Sequence, residues 1–204
     1  MSQYTLHYFD SSHSRGEDCR LALAAAGVPF EDHRVPTAEW PALKSKMPYG
    51  SMPVLESNGK APLAQSNAIL TYIGRAHDLH PKDAWEAAQH EAILESVEEV
   101  RALLAPTGKM KDEAEKRAAR EALASGPLQL WGGRIEKQIR GPFLAGEKLC
   151  VADIKVFQIV NAFKANTFDH IPPTVFQDFP KLNALHQAVA AHPKIAGWRA
   201  AHTK

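Results

Sequence analysis

Three short stretches hold the residue types from which a cradle for a small anionic peptide can be built. Pro53 follows Met52 and enters the apolar run Val54-Leu55; a proline there shapes the turn before it, and a cis bond would lay open the backbone of Met52. Gln65 and Ser66 precede positions 67–75, whose apolar residues recur at helical spacing, so Ser66 stands where an N-cap belongs. The unpaired N–H groups and positive dipole at such a helix start suit an anion. Trp40 and Lys44 share a face if 39–46 forms a helical turn. Each piece alone has an ordinary reading: a trans proline, a plain cap, a packing tryptophan, a solvated lysine. Tyr8, by itself, reads as a core or rim aromatic.

The elements that must position these residues follow from periodicity. Positions 3–9 alternate as a strand, with Tyr4, Leu6 and Tyr8 on one face. A polar loop, 10–14, leads to an alanine- and leucine-rich helix from Arg15 to Ala26, which Gly27 closes. Positions 29–35 form a second strand, and strand-helix-strand implies a parallel pair with a right-handed crossover. Ser57-Asn58-Gly59 between Val54-Leu55-Glu56 and Pro62-Leu63-Ala64 signals a β-hairpin. After the break at His80-Pro81-Lys82 the pattern becomes helical: 85–104 with Ala88, Ile93, Leu94, Val97, Val100, Leu103 and Leu104 inward, then 109–139 bent near Gly126-Pro127. Positions 151–160 form a strongly apolar helix that marks the centre of the second half, and further helices cover 179–191 and 194–201. The predicted organisation is an α/β domain, 1–79, followed by an all-α domain, 83–204.

Composition narrows the function. The chain has 204 residues, 45% apolar and 23% charged, with a formal net charge of +1, which argues against nucleic-acid or membrane-surface binding driven by global charge. No apolar run approaches the roughly 20 residues of a membrane span, and the opening residues lack a signal-peptide pattern, so a cytoplasmic setting is expected. Cys19 and Cys150 are far apart and fit neither a Cys-x-x-Cys nor a zinc spacing. Ten histidines contain no His-Glu-x-x-His, and no metal is expected.

The order Met-Pro, strand, hairpin, strand, Gln-Ser, helix resembles the glutathione-binding half of the cytosolic glutathione transferases. Positions 5–32 look like the opening of the Tyr-type enzymes, especially the sigma and alpha classes, and 143–154 like their conserved loop and helix start. The similarity spans nearly the whole chain and implies a thioredoxin-like N-terminal domain (βαβ-ββα) before the helical one.

The resemblance also implies roles. Tyr8 corresponds to the tyrosine that hydrogen-bonds the glutathione sulfur. A free thiol titrates near 8.5 and a phenol near 10, so the phenol stays protonated and donates a charge-assisted bond to the thiolate. Trp40 and Lys44 correspond to contacts at the glycyl end, Lys44 pairing with its carboxylate. Met52 would pair through its backbone with the cysteinyl residue across the Pro53 bend. Gln65 and Ser66 would take the γ-glutamyl carboxylate. Arg15 aligns with an arginine that helps stabilise the thiolate, although the loop before it is one residue longer; a helix-start ion pair is equally open. Ser51 stands where many relatives carry Gln, which weakens one γ-glutamyl contact. Glu99 aligns with an acidic residue that reaches across a homodimer, so Glu99 of the partner subunit would meet the γ-glutamyl ammonium; a solvated helix face is its other reading. Tyr49 falls where some classes insert an aromatic key into the neighbouring subunit. Cys150 replaces the usual Ser or Thr of a capping box that retains Asp153, which should weaken that box. The implied activity is transfer of glutathione, as co-substrate, to a small hydrophobic electrophile. The electrophile pocket is expected from the loop after Phe9, from 101–110 and from the C-terminal region. Glutathione-dependent isomerisation or peroxide reduction, or a non-catalytic binding or structural role, stay open.

Overall fold

The structure, a computed structural model, describes residues 3–202, so the first two positions of the predicted first domain and the last two of the second lie outside the described residues. Four strands form one mixed sheet in the order β2-β1-β3-β4: β1 (Tyr4–Phe9), β2 (Phe30–Val35), β3 (Val54–Ser57) and β4 (Leu63–Ala64). β1 is parallel to β2 and antiparallel to β3, as the crossover and hairpin readings require. The hairpin turn closes with Lys60 N–H donating to Ser57 C=O at 3.0 Å, while strand pairing begins only at Leu55 opposite Leu63.

Helix α1 (Arg15–Ala26) ends at Gly27, which takes the left-handed φ of 71° that a side chain would resist. A short α2 (Trp40–Lys44) and α3 (Ser66–Ala76) complete the first half. The second half comprises α4 (Ala84–Leu104), a 3-10 turn (Thr107–Lys109), α5 (Glu113–Ser125), α6 (Pro127–Gln138), α7 (Val151–Lys164), α8 (Pro180–Ala191) and α9 (Pro193–His202). The bent helix expected over 109–139 is two helices, because Gly126 leaves helical backbone (φ −119°, ψ −93°) where Pro127 starts α6. On α4, Ala87 and His90 are buried where Ala88 was expected, and Leu103 is exposed: the buried stripe keeps to helical spacing through Val97, Val100 and Leu104.

Every residue from 151 to 160 on α7 is buried, the central place its apolar pattern predicts. Helix α1 is also buried nearly all round, packing on α3 and on α7 and α9. That position explains why its charged residues have fixed partners: Asp18 accepts both ends of the Arg101 guanidinium, at 2.7 and 3.0 Å. A buried charge must be paired, and losing one partner is costly.

Asp18→Ala should therefore lower stability by about 3 kcal/mol in chemical denaturation; a loss under about 1 kcal/mol would show that Arg101 needs no partner on α1.

Candidate functional site

The register of the sheet brings the predicted residues to one end. His7 lies opposite Val54, and Val54 opposite Ala64. The end of β1 (Tyr8, Phe9), the entry to β3 (Met52, Pro53) and the exit from β4 (Gln65, Ser66) therefore share one edge, beside the end of β2 from which the chain leads to α2.

Tyr8 is 7% exposed, and its hydroxyl lies 2.7 Å from the Ser14 hydroxyl. Its ring lies on Gly16, where a Cβ would fall 2.1 and 2.2 Å from ring atoms and 2.7 Å from the Tyr8 Cβ, so only glycine allows the approach. The strand end and loop are pinned by the buried Arg20, which donates to Phe9 C=O (3.0 Å), Ser11 C=O (2.8 Å) and Asp32 (2.7 Å). From the other side Gln158 on α7 donates to Ser12 C=O at 2.7 Å.

Trp40 packs its edge on Phe9, with ring centroids 5.6 Å apart. Lys44 is exposed and makes no ion pair among the described residues; its side-chain stem lies beside Gly50, next to Ser51. The Met52-Pro53 bond is cis, and neither the N–H nor the C=O of Met52 bonds another backbone group among the described residues. Ser66 is not the N-cap expected of it. Gln65 takes that place with φ 73° and ψ 117°, a backbone that turns the chain sharply out of β4, so Ser66 becomes the first helical residue.

Arg15 donates to Glu98 on α4, at 2.8 Å from Nε and 2.7 Å from Nη2, so the ion-pair reading is the one formed, and it joins the two halves. Glu98 also meets Arg101 (2.8 Å) and the buried Lys155 (2.7 Å), and Lys155 bonds Asn67, which holds Glu95. Burial would push the Glu98 carboxyl up; Lys155, Arg101 and Arg15 outweigh burial and hold it down at about 2. Glu99 is exposed and has no ion pair among the described residues. Tyr49 is 71% exposed.

A cavity of about 250 Å³ opens beside Ser14, lined by His13, Arg15, Arg101, Leu104, Gln158 and Phe168 among others. It uses the loop after Phe9 and the end of α4 as expected, with α7 as a third wall. The C-terminal residues Arg199 and His202 line a separate cavity of about 320 Å³ with His13 and Gln158. Both cysteines are buried free thiols; burial pushes Cys150 up to about 12 and Cys19 higher still, which suits neither for nucleophilic work. Asp153 keeps its half of the capping box, accepting from Cys150 N–H (2.8 Å) and also from Leu144 N–H (2.7 Å). Glu113, Asp169 and His170 cluster at the surface, but Lys116 and Arg120 already neutralise Asp169.

Comparison with known proteins decides the lineage. The family model described as glutathione S-transferase, N-terminal domain, matches residues 4–75, and that described as glutathione S-transferase, C-terminal domain, matches 98–202. The chain belongs to the glutathione S-transferase family. It is 31% identical to probable glutathione S-transferase 7 of Caenorhabditis elegans, over 97% of this chain and 96% of that one. S-crystallin 4 of Enteroctopus dofleini is 29% identical over the same shares. The solved structure of prostaglandin synthase D of Nilaparvata lugens superposes with a TM-score of 0.85 at 30% identity, covering 96% of each chain. The thioredoxin-like half followed by an all-α half is this family's fold.

Several residues that shape this sheet edge and the neighbouring cavity were not singled out from sequence: Ser14, Gly16, Asp18, Arg20, Glu98, Lys155 and Gln158. A signal existed for some. Lys155 and Gln158 interrupt the apolar run of α7, so burial there required partners, whereas Asp18 and Arg20 stand just ahead of the alanine-leucine run of α1 and carry no such mark.

Two outcomes follow. Gly16→Ala should displace the Tyr8 ring, costing about 2 kcal/mol of stability and changing the near-ultraviolet circular dichroism; an unchanged spectrum and stability would mean the ring is not held there. Because the folded pKa of Glu98, about 2, lies below its unfolded value near 4.5, its contribution is present above about pH 4.5 and lost as pH falls through about 2. The stability difference between wild type and Glu98→Gln should shrink across that window, and a flat difference would contradict the pairing.

Proposed function

We propose that this chain is a cytoplasmic, homodimeric glutathione transferase in which the Tyr8 hydroxyl stabilises the glutathione thiolate for attack on a small hydrophobic electrophile. The observation that carries the reading is the position of Tyr8. Tyr8 lies at the strand end on the sheet edge shared by the cis Met52-Pro53 turn and the start of α3, and its hydroxyl bonds that of Ser14, a residue lining a cavity.

The donor set fits the tripeptide. The unpaired backbone groups of Met52 offer one β-type exchange to the cysteinyl residue. Lys44, exposed and without an ion pair among the described residues, suits the glycyl carboxylate beside Trp40. The N–H groups at the start of the 11-residue α3, with Gln65, Ser66 and the nearby Ser51, suit the γ-glutamyl carboxylate. The exposed Glu99 and Tyr49 support a role for the partner subunit, Glu99 toward the γ-glutamyl ammonium and Tyr49 as a packing aromatic. Arg15, held by Glu98, lines the cavity and adds positive charge near the loop rather than a free guanidinium.

In the reaction the thiol proton leaves to solvent and Tyr8 donates to the sulfur anion; the sulfur lone pair forms the new bond to carbon as the electrophile's leaving group, a halide for an aryl halide, departs with its bonding pair to solvent, with no covalent enzyme intermediate. The chain supplies a lowered thiol pKa and proximity. Arg15, Arg101 and Arg120 around the cavity are all paired with carboxylates, which favours a neutral electrophile against Leu104, Ile159 and Phe168. Isomerisation or peroxide reduction would use the same thiolate, and an S-crystallin-like structural role would use none.

The chain should be retained on immobilised glutathione. Tyr8→Phe should raise the pKa of the bound thiol, each pKa unit being about 1.4 kcal/mol, and lower kcat/KM for a generic aryl halide on the order of 100-fold. An unchanged thiol titration would remove Tyr8 from the mechanism, and failure to bind glutathione would favour the structural role.

A further inference from the structure

We propose that Ser14 is a positioning residue for the thiolate: its hydroxyl donates to the phenolic oxygen of Tyr8 and so turns the phenolic proton toward the sulfur. This rests on the function proposed above.

The Ser14 hydroxyl is withheld from its usual work. Ser14 is the N-cap of α1 with extended backbone (φ −164°, ψ −172°), and a serine there ordinarily accepts from an N–H of the first turn. Asp83 and Asp112 do so at the starts of α4 and α5, accepting from Glu86 and Glu115 N–H. At α1 the Ser14 carbonyl receives the Glu17 and Asp18 N–H groups, and the side chain makes no cap bond. It turns to Tyr8 instead, at 2.7 Å, the ordinary length for O–H···O.

Neither hydroxyl is free to swing away. Arg20 and Gln158 hold the loop through the carbonyls of Phe9, Ser11 and Ser12, and the Tyr8 ring rests on Gly16. Ser14 also lines the cavity, which places the Tyr8–Ser14 hydrogen bond at its wall.

Proton counting gives the direction. Two hydroxyls in mutual contact hold two protons; one lies between them and one is left for a third group. A thiolate only accepts, and the phenol is the more acidic of the two hydroxyls, so the favoured chain runs from Ser14 to Tyr8 to sulfur. Accepting a bond at its oxygen polarises the phenol and strengthens its donation. No proton passes to or from either side chain.

The test is the pH titration of thiolate absorbance in the glutathione complex, with steady-state kinetics, for wild type, Ser14→Ala, Ser14→Thr, Tyr8→Phe and the double variant Tyr8→Phe/Ser14→Ala. Ser14→Ala should lower the acid constant of the bound thiol about threefold to tenfold, the worth of one neutral hydrogen bond, with a matching fall in kcat and little change in KM for glutathione. Ser14→Thr should restore it. In the Tyr8→Phe background the Ser14 change should be silent, since it acts only through the phenol. An equal further loss in that background would overturn the proposal, as would a lowered melting temperature with an unshifted titration. A wild-type complex whose thiol titrates as free glutathione does would overturn the function itself, and the wild-type curve alone separates that failure from the failure of Ser14.

Discussion

The arrangement depends on one buried guanidinium. Arg20 has no exposed surface, yet it sits on a helix packed between the sheet and the second half of the chain. A charge in that position survives only with its donors engaged, and it finds acceptors in Asp32 on β2 and in two carbonyls at the end of β1 and in the loop beyond. Satisfying Arg20 thus fixes the end of β1 relative to α1. Tyr8, the residue before Phe9, inherits that position, with Gly16 clearing space for its ring.

The second constraint is the charged seam between the halves. Asp18 and Arg15 on α1, Glu98 and Arg101 on α4, Lys155 on α7 and Asn67 on α3 form one connected network. Ion pairs of this kind contribute little net stability against apolar replacements, but separating the partners leaves charges buried and alone. The halves are therefore held in one mutual placement, and the cavity next to Ser14 lies along the seam with Arg15 and Arg101 in its wall. The same pairs that fix the geometry also engage the guanidiniums there, and the apolar part of the pocket wall is Leu104, Ile159, Ala162 and Phe168.

Much of this was legible in the sequence because it rests on local rules. Alternation gave β1, the alanine-leucine run ending in Gly27 gave α1, and the strongly apolar stretch after Cys150 marked the central helix. Pro53 marked the turn, and its family resemblance marked the neighbours. What stayed hidden depends on contacts between distant residues. Ser66 looked like a cap because serine caps helices, but the chain leaves β4 through a left-handed Gln65, and only the sheet register shows it. Glu98 and Glu99 are adjacent and alike in sequence; one points into the seam and the other to the surface, a difference set by how α4 meets α7. The loop residue Ser14 gave no signal, since it reads as one more polar loop residue and its partner lies six positions back on a strand.

The most direct test of the central claim is a crystal structure of the complex with glutathione. The account predicts the sulfur within hydrogen-bonding distance of the Tyr8 hydroxyl, with the cysteinyl backbone paired to Met52. A tripeptide bound elsewhere, or a sulfur turned away from Tyr8 while the Met52 pairing is kept, would contradict it.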